Sequence, residues 1–405
     1  MYKDKGFKFL ISSRIFRSVA VVYMSLVAQL YLNQVLHVSV LSIGFIIFGV
    51  VIFNSMLVMA LGFLGDRMGY KKALLLSEVP PMAGAMLLWF ATHNIFLIST
   101  AVIITGLSGV AGGLRGTFSP GLTPLIASNY KENDTRVHKM GVLTTASAIS
   151  SIIGAAMLVA EFYFHIYLAS LYPHLSSVSI AYRLFFIVSA LLILLSFISL
   201  LFVEEEKRPI KSTRLMKKVS FDYMKRVIAA NTFAGVGIGL GVTLLPLWLS
   251  VAFKASNMEI GILFVLSNIA TAIGAYISSR YAHRSNALNV ASRTRITNGI
   301  LLVLMAFTPF IGEIGFILAT IFYAIRGYMA GFGSPSRSIV NIRGIHREDY
   351  GSAAGIQGSV NRFSQASSGL SGALMEFSLP LPLFIGGTIQ AIGGYLYGKL
   401  LKGKE

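Results

Sequence analysis

Long apolar runs separated by short polar breaks fill this chain from end to end. They fall at about 9–33, 41–64, 72–91, 95–126, 138–164, 182–203, 224–250, 257–281, 294–311, 313–340, 350–376 and 380–400, most of them near the ~20 residues that a helix needs to cross hydrocarbon. Lipid offers no partner to an unpaired backbone N–H or C=O, so only helices and closed barrels can span it. Barrel strands alternate in polarity over about ten residues, whereas these runs are longer and continuously apolar. The pattern predicts an all-α integral membrane protein with twelve transmembrane helices. The basic start, Met1 to Phe9, runs into an apolar stretch as a signal peptide does. That stretch continues through Leu32 without a small-residue cleavage site, which predicts a retained first span.

Composition supports this reading. Hydrophobic residues make up 55% of the 405 positions and charged residues 12%, about half the charged share of a soluble domain, roughly 25%. No region is long and polar enough for a separate soluble domain. The chain has no cysteine, which excludes disulfides, thiolate metal sites and cysteine nucleophiles. No metal or cofactor is expected. No G-x-x-x-x-G-K-[ST] loop occurs, which argues against direct drive by ATP.

Charge orients the spans. Of the 34 lysines and arginines, 27 lie on one set of alternating connections together with both termini, and only Arg183 and Lys254 lie on the other. The remaining five, Arg14, Arg17, Arg115, Arg326 and Arg362, fall within spans. Basic loops stay on the cytoplasmic side, so a multi-pass protein of the cell membrane with both termini cytoplasmic is expected. The net charge of +18 then needs no nucleic-acid partner, because the basic loops sit beside anionic lipid headgroups.

The longest polar connection, Glu204–Asp222, divides the chain into 1–203 and 223–405, with six spans in each. The two parts repeat at a nearly constant offset. Tyr31-Leu32 and Gly44 recur as Trp248-Leu249 and Gly261, while Gly112, Gly116 and Ser119-Pro120 recur as Gly327, Gly331 and Ser334-Pro335. Parallel repeats of this kind are a recurrent transporter plan, with the binding site at the repeat interface near the bilayer midplane. The expected domains are two pseudo-symmetric six-helix bundles joined by a cytoplasmic linker at 204–222.

After the second span, the run Gly62–Lys72 (GFLGDRMGYKK) resembles the G-x-L-[AG]-D-R-x-G-[RK]-[RK] signature of the major facilitator superfamily. Tyr70 stands where that family carries a basic residue. Span four, with Gly106, Gly109, Gly112, Arg115, Gly116 and Pro120, also looks like the family's fourth span. The resemblance implies a single-subunit carrier that works by alternating access. It also implies that Gly62, Gly65, Asp66, Arg67, Gly69 and Lys71 form a latch holding the outward-open state. Asp66 is suited to face the amino end of a helix, where the dipole favours an anion. The alternative is a topogenic basic loop with one stray acid. The glycine–proline signature of the family's drug–proton antiporters is missing around Gly154, where the chain reads IIGAAML.

Candidate chemistry lies in the charges at depth. An ionised group near the bilayer centre is costly unless it faces water or a partner, so Arg115, Arg326 and Arg362 are expected to point inward. Glu78 is the one deep carboxylate, with Glu161 and Glu376 toward outer ends. A guanidinium fork suits a carboxylate or phosphate. The three arginines are therefore candidates to bind an anionic substrate; the other reading ties them to Glu78 or to helix-end carbonyls. Arg14 and Arg17 are expected to snorkel to the inner headgroups.

Gln357, Asn361 and Gln365 form a polar stripe at i, i+4, i+8, and with Asn231 and Asn268 they are candidate cavity residues. Interhelical hydrogen bonding is the alternative. Gly235, Gly237, Gly239 and Gly241 before Pro246 fit either a hinge or close packing. Glu78 is the candidate proton carrier, unless Arg115 or Lys71 holds it in an ion pair. Every histidine falls in or near a loop, which argues against a deep histidine relay.

The expected function is secondary transport of a small organic anion, proton-coupled or facilitative. A multidrug exporter of the same fold is the nearest competitor. A polytopic enzyme lacks any paired carboxylates or nucleophile constellation, and a non-cycling receptor is the remaining alternative.

Overall fold

The computed structural model describes residues 5–91, 94–107, 119–130, 133–172, 177–206, 217–281, 286–346 and 350–402. The described residues contain helices and no strand. In chain order the helices are α1 (Phe7–Gln34), α2 (Val40–Met68), α3 (Tyr70–Phe90), α4 (Ile95–Thr105), α5 (Ser119–Asn129), α6 (Asn133–Leu171), α7 (Ser177–Leu201), α8 (Lys218–Gly241), α9 (Leu245–Phe253), α10 (Asn257–Tyr281), α11 (Ala287–Ala306), α12 (Gly315–Arg343), α13 (Tyr350–Ser364), α14 (Ser368–Phe377) and α15 (Leu381–Leu401). Eight spans among the described residues are long and apolar enough to cross a membrane, with α8 and α9 counted together. Large apolar side chains stand exposed along the helices, among them Phe45, Phe96, Ile153, Leu191, Ile317 and Phe377. Such a surface is stable only against lipid.

Every apolar run contains helix, but several are not single rods. The run expected over 95–126 stops at Thr105, where Gly106 turns left-handed at φ +61° and its carbonyl accepts from Asn54 Nδ2. The run at 224–250 breaks between α8 and α9 at Val242–Leu244, just before Pro246. The run at 350–376 passes through a 3-10 turn, Gln365–Ser367, between α13 and α14.

The chain forms two compact units. Unit 1 comprises Met1–Val38, Gly49–Thr213 and Ser256–Ile262; unit 2 comprises Ser39–Phe48, Arg214–Ala255 and Leu263–Glu405. In unit 1, α1 is buried continuously from Arg17 to Leu32 and packs against α6 and α7, while α3 packs against α4, α5 and α7. Phe7, Leu10, Leu74, Leu125, Leu143 and Leu200 close one apolar cluster there.

In unit 2, α8, α11 and α15 pack together, with α12 on α11 and α13 on α8. These contacts are close because the facing residues are small. A Cβ at Gly237 would lie 2.8 Å from Gln390 N of α15, and one at Gly327 would lie 2.5 Å from Ser267 O of α10. The α8 glycines therefore act as packing surfaces within an unbroken helix, and the bend falls beyond them.

Both ends of the polar segment 204–222 are structured. Glu204–Glu206 is bound into unit 1, and α8 already begins at Lys218.

Candidate functional site

Glu78 and Arg17 meet inside unit 1. The Arg17 guanidinium donates to Glu78 Oε2, with the two side chains 1% and 0% exposed. Ser196 Oγ of α7 donates to Glu78 Oε1 at 2.9 Å, and Ser13 Oγ, one turn before Arg17, shares a hydrogen bond with Ser196 at 2.8 Å. Arg14 is also buried. This corrects the expectation that Arg14 and Arg17 snorkel: both lie on a helix whose faces are packed by protein. Glu78 takes Arg17 as its ion-pair partner. Lys71 Nζ instead donates to Leu201 O at 2.8 Å, and Arg115 lies outside the described residues.

A second polar network occupies unit 2. Arg295 of α11 is buried, donates from Nη2 to Asn231 Oδ1 at 2.6 Å, and lies 4.1 Å from the centroid of the Tyr397 ring. The Tyr397 hydroxyl donates to Asn341 Oδ1 at 2.7 Å, and Gln357 Nε2 donates to Asn341 O at 3.2 Å. Four helices, α8, α11, α12 and α15, thereby converge with α13 on one connected set of polar groups. Asn361 and Ser364 pack on α8 at Gly235, one turn beyond Asn231: a Cβ there would lie 2.6 Å from Ser364 Cβ and 3.1 Å from Asn361 O.

Arg326 of α12 is buried and lies 5.6 Å from the Tyr323 ring. Arg362 and Asn268 are half-buried on α13 and α10. Gln365 begins the 3-10 turn, so the third member of the stripe does not continue the α-helical face of Gln357 and Asn361.

The glycine-rich loop is a tight joint between α2 and α3. Gly69 adopts φ +98°, a conformation open to glycine and strained for other residues. Its neighbour in space is Glu205, whose carboxylate oxygens each accept one backbone N–H of α3, from Tyr70 and from Lys71, both at 2.8 Å. An anion on the orphan N–H groups of a helix start is favoured by both hydrogen bonding and the dipole. Arg67 is exposed, Gly65 is buried and Gly62 is half-buried. Asp66 lies within α2, and its side chain falls outside the described residues.

Two participants are absent from the sequence reading, which counts Arg295 among loop charges and gives Glu205 no role. A signal for Arg295 does exist. Asn286 is an N-cap residue type, and its Oδ1 accepts from Leu288 N at 3.0 Å and Asn289 N at 3.3 Å. A helix started there carries Arg295 more than two turns inside. For Glu205 the sequence holds only a run of acids, with nothing to indicate which one meets α3.

The remaining carboxylates are also placed. Glu161 is buried and accepts from Asn257 Nδ2 at 2.8 Å, while Glu376 is exposed and accepts from Leu41 N at 2.9 Å. Among the described residues no group of three or more histidines and acids could hold a metal ion.

Comparison with known proteins accords with this architecture. The chain is similar over 98% of its length to an auto-inhibited POT family peptide transporter, at TM-score 0.76 and 9% identity over 97% of that chain. It is similar to a D-xylose–proton symporter at TM-score 0.73 and 13% identity, covering 98% of this chain and 97% of that one. A bacterial homologue of the human lysosomal transporter Spinster, in an inward-facing occupied conformation, gives TM-score 0.68 and 13% identity over 98% and 97% of the two chains. At such identities the likeness is one of fold. A search of curated proteins finds no match. The sequence profile of the Major Facilitator Superfamily matches residues 10–369. With that match across most of its length and an all-helical transporter fold, the chain belongs to the Major Facilitator Superfamily.

Proposed function

We propose that this protein is a secondary active carrier moving a small organic anion across the cell membrane by alternating access, as a monomer with both termini cytoplasmic. The observation that carries the reading is the burial of Arg295 and Arg326 within the helices of unit 2. Guanidinium groups are expensive to keep at membrane depth, and their fork matches a carboxylate or phosphate. Asn231 and Tyr397 contact Arg295, and Asn341 and Gln357 extend the same polar network with groups able to orient a polar solute; Asn361 is a further candidate. Arg115, Arg362, Asn268 and Gln365 remain candidates for the same task. Proton coupling belongs to the proposal, and so does the division into six-span parts at 1–203 and 223–405.

The test is uptake into proteoliposomes under an imposed pH gradient, screened over carboxylates, phosphates, sugars and cationic dyes. The expected result is saturable anion uptake, lost in Arg295→Ala and Arg326→Ala. Dye transport indifferent to both substitutions would overturn the reading in favour of drug efflux.

A further inference from the structure

Glu161 is the buried acid that the carrier reading leaves unused. It sits on α6, at 1% exposure, and accepts from Asn257 Nδ2 at 2.8 Å. Asn257 Nδ2 also donates to the Tyr182 hydroxyl at 2.7 Å, and that hydroxyl donates to Gln34 Oε1 at 2.6 Å. One polar chain thus links α6, the first turn of α10, α7 and the end of α1, all within unit 1.

The charged groups around it are already engaged. Among the described residues no cation forms an ion pair with Glu161. Arg183 of α7 gives Nε and Nη2 to Trp89 O at 3.0 and 2.7 Å and lies against the Trp89 ring. Glu259 of α10 turns to Ser256, and His165, one turn along α6, lies against Phe162. On α1, the Tyr23 hydroxyl is buried and has no hydrogen-bond partner among the described residues. Asn257 Oδ1 is likewise buried with no partner among the described residues.

We infer that Glu161 is a proton-binding site whose occupancy sets how firmly the first turns of α10 are held against α6. An ionised carboxylate buried without a cation is costly, whereas its neutral form is not. The step is a simple protonation: one proton from solution adds to a carboxylate oxygen, and no other bond changes. In the ionised state the Asn257 contact is charge-assisted. Protonation removes that assistance and leaves a neutral hydrogen bond of roughly half the strength. Once the amide turns over, Asn257 Oδ1, which has no partner among the described residues, accepts from the new carboxyl O–H, and the two Nδ2 bonds of the ionised state, to Glu161 and to Tyr182, are given up. The packing is close enough for this contact to matter. One turn beyond Asn257, a Cβ on Gly261 would stand 3.2 Å from Val159 N and 3.3 Å from Ala155 O of α6. This inference deepens the carrier reading and rests on it for its use in coupling.

The cysteine-free chain allows a direct test. Spin labels at Tyr163→Cys and Ile262→Cys, both exposed positions, report the separation of α6 and the start of α10 in the full-length protein. Acidification from about pH 8 to about pH 5, a range in which buried carboxyls titrate, is expected to lengthen the separation. Glu161→Gln, which mimics the protonated group, and Asn257→Leu, which removes the tie, are each expected to show the acid separation at both pH values. A wild-type pH response in either folded variant overturns the inference, as does a separation that never changes with pH. Substrate exchange in proteoliposomes is measured on the same preparations. Absent exchange with an intact pH response would count against the carrier reading and leave the proton site standing.

Discussion

The Arg17 guanidinium and the Glu78 carboxylate, 61 residues apart in sequence, form an ion pair buried within unit 1. The pair is completed by Ser196 on the second carboxylate oxygen. This arrangement satisfies both charges while leaving neither accessible to lipid. Breaking one side leaves an uncompensated charge in the interior, which is strongly destabilising, about 3–5 kcal/mol. Replacing both sides by apolar groups of similar volume removes the charge together with its desolvation. Arg17→Met and Glu78→Leu are therefore expected to lower thermal stability sharply as single variants, with the double variant recovering much of the loss. Thermal unfolding followed by size-exclusion elution in detergent measures this. A double variant as unstable as the sum of the singles would show that the two residues act separately.

The Arg295–Asn231 contact predicts a graded series in unit 2. Asn231→Leu leaves the buried guanidinium short of an acceptor, expected to cost about 1–3 kcal/mol. Tyr397→Phe keeps the ring beside Arg295 and loses only the bond to Asn341, about 1 kcal/mol. Tyr397→Leu also loses the ring face and should be worse than Tyr397→Phe by roughly 0.5–2 kcal/mol. The measurement is the ranking of unfolding temperatures, and equal effects of the two Tyr397 variants would remove the ring contact from the account.

At the α2–α3 joint, Gly69→Ala places a Cβ 2.8 Å from Glu205 Oε2 in a backbone conformation of positive φ. A loss of about 1–3 kcal/mol is expected from the conformation alone, since a positive φ with extended ψ is nearly restricted to glycine. Glu205→Gln keeps one acceptor oxygen but loses the charge, and should cost about 1 kcal/mol through the weaker cap. If Glu205 holds the joint, a single cysteine at Arg67 will react faster with a maleimide in Glu205→Gln than in the parent. Unchanged reactivity would limit Glu205 to local capping.

Sidedness is testable with single cysteines in the same cysteine-free background. Ser170→Cys, at the exposed end of α6, should react with an impermeant maleimide on intact cells. Lys211→Cys, in the basic connection, should react only in inverted vesicles. Reaction of both from one face would contradict the distribution of lysine and arginine on which the orientation rests.

Most of the architecture is legible in the sequence because lipid imposes a rule that acts locally. A span must be apolar over its whole length and must satisfy its own backbone, so the runs at 9–33 or 257–281 declare themselves without reference to any partner. The glycine-rich signature at Gly62–Lys72 is equally local, since Gly69 is required by the backbone angle of one tight joint. The helix breaks are less visible. The α8–α9 break falls at Val242–Leu244, residues that differ little in polarity from their neighbours, because the packing of Gly237 and Gly239 keeps the glycine-rich part straight.

Partner choice is what the sequence leaves open. Arg17 reads as a residue near the start of a span, and its burial follows only from α1 being enclosed by α6 and α7. Arg295 reads as a loop charge, yet α11 begins early enough to carry it inside, onto Asn231 and Tyr397. Glu161 reads as an outer-end acid until the start of α10 brings Asn257 to it. Apolar length is a property of each segment, so the sequence determines the helices and their membrane setting by itself. Which buried charge meets which acceptor depends on helices distant in the chain lying side by side, and only the tertiary structure decides it.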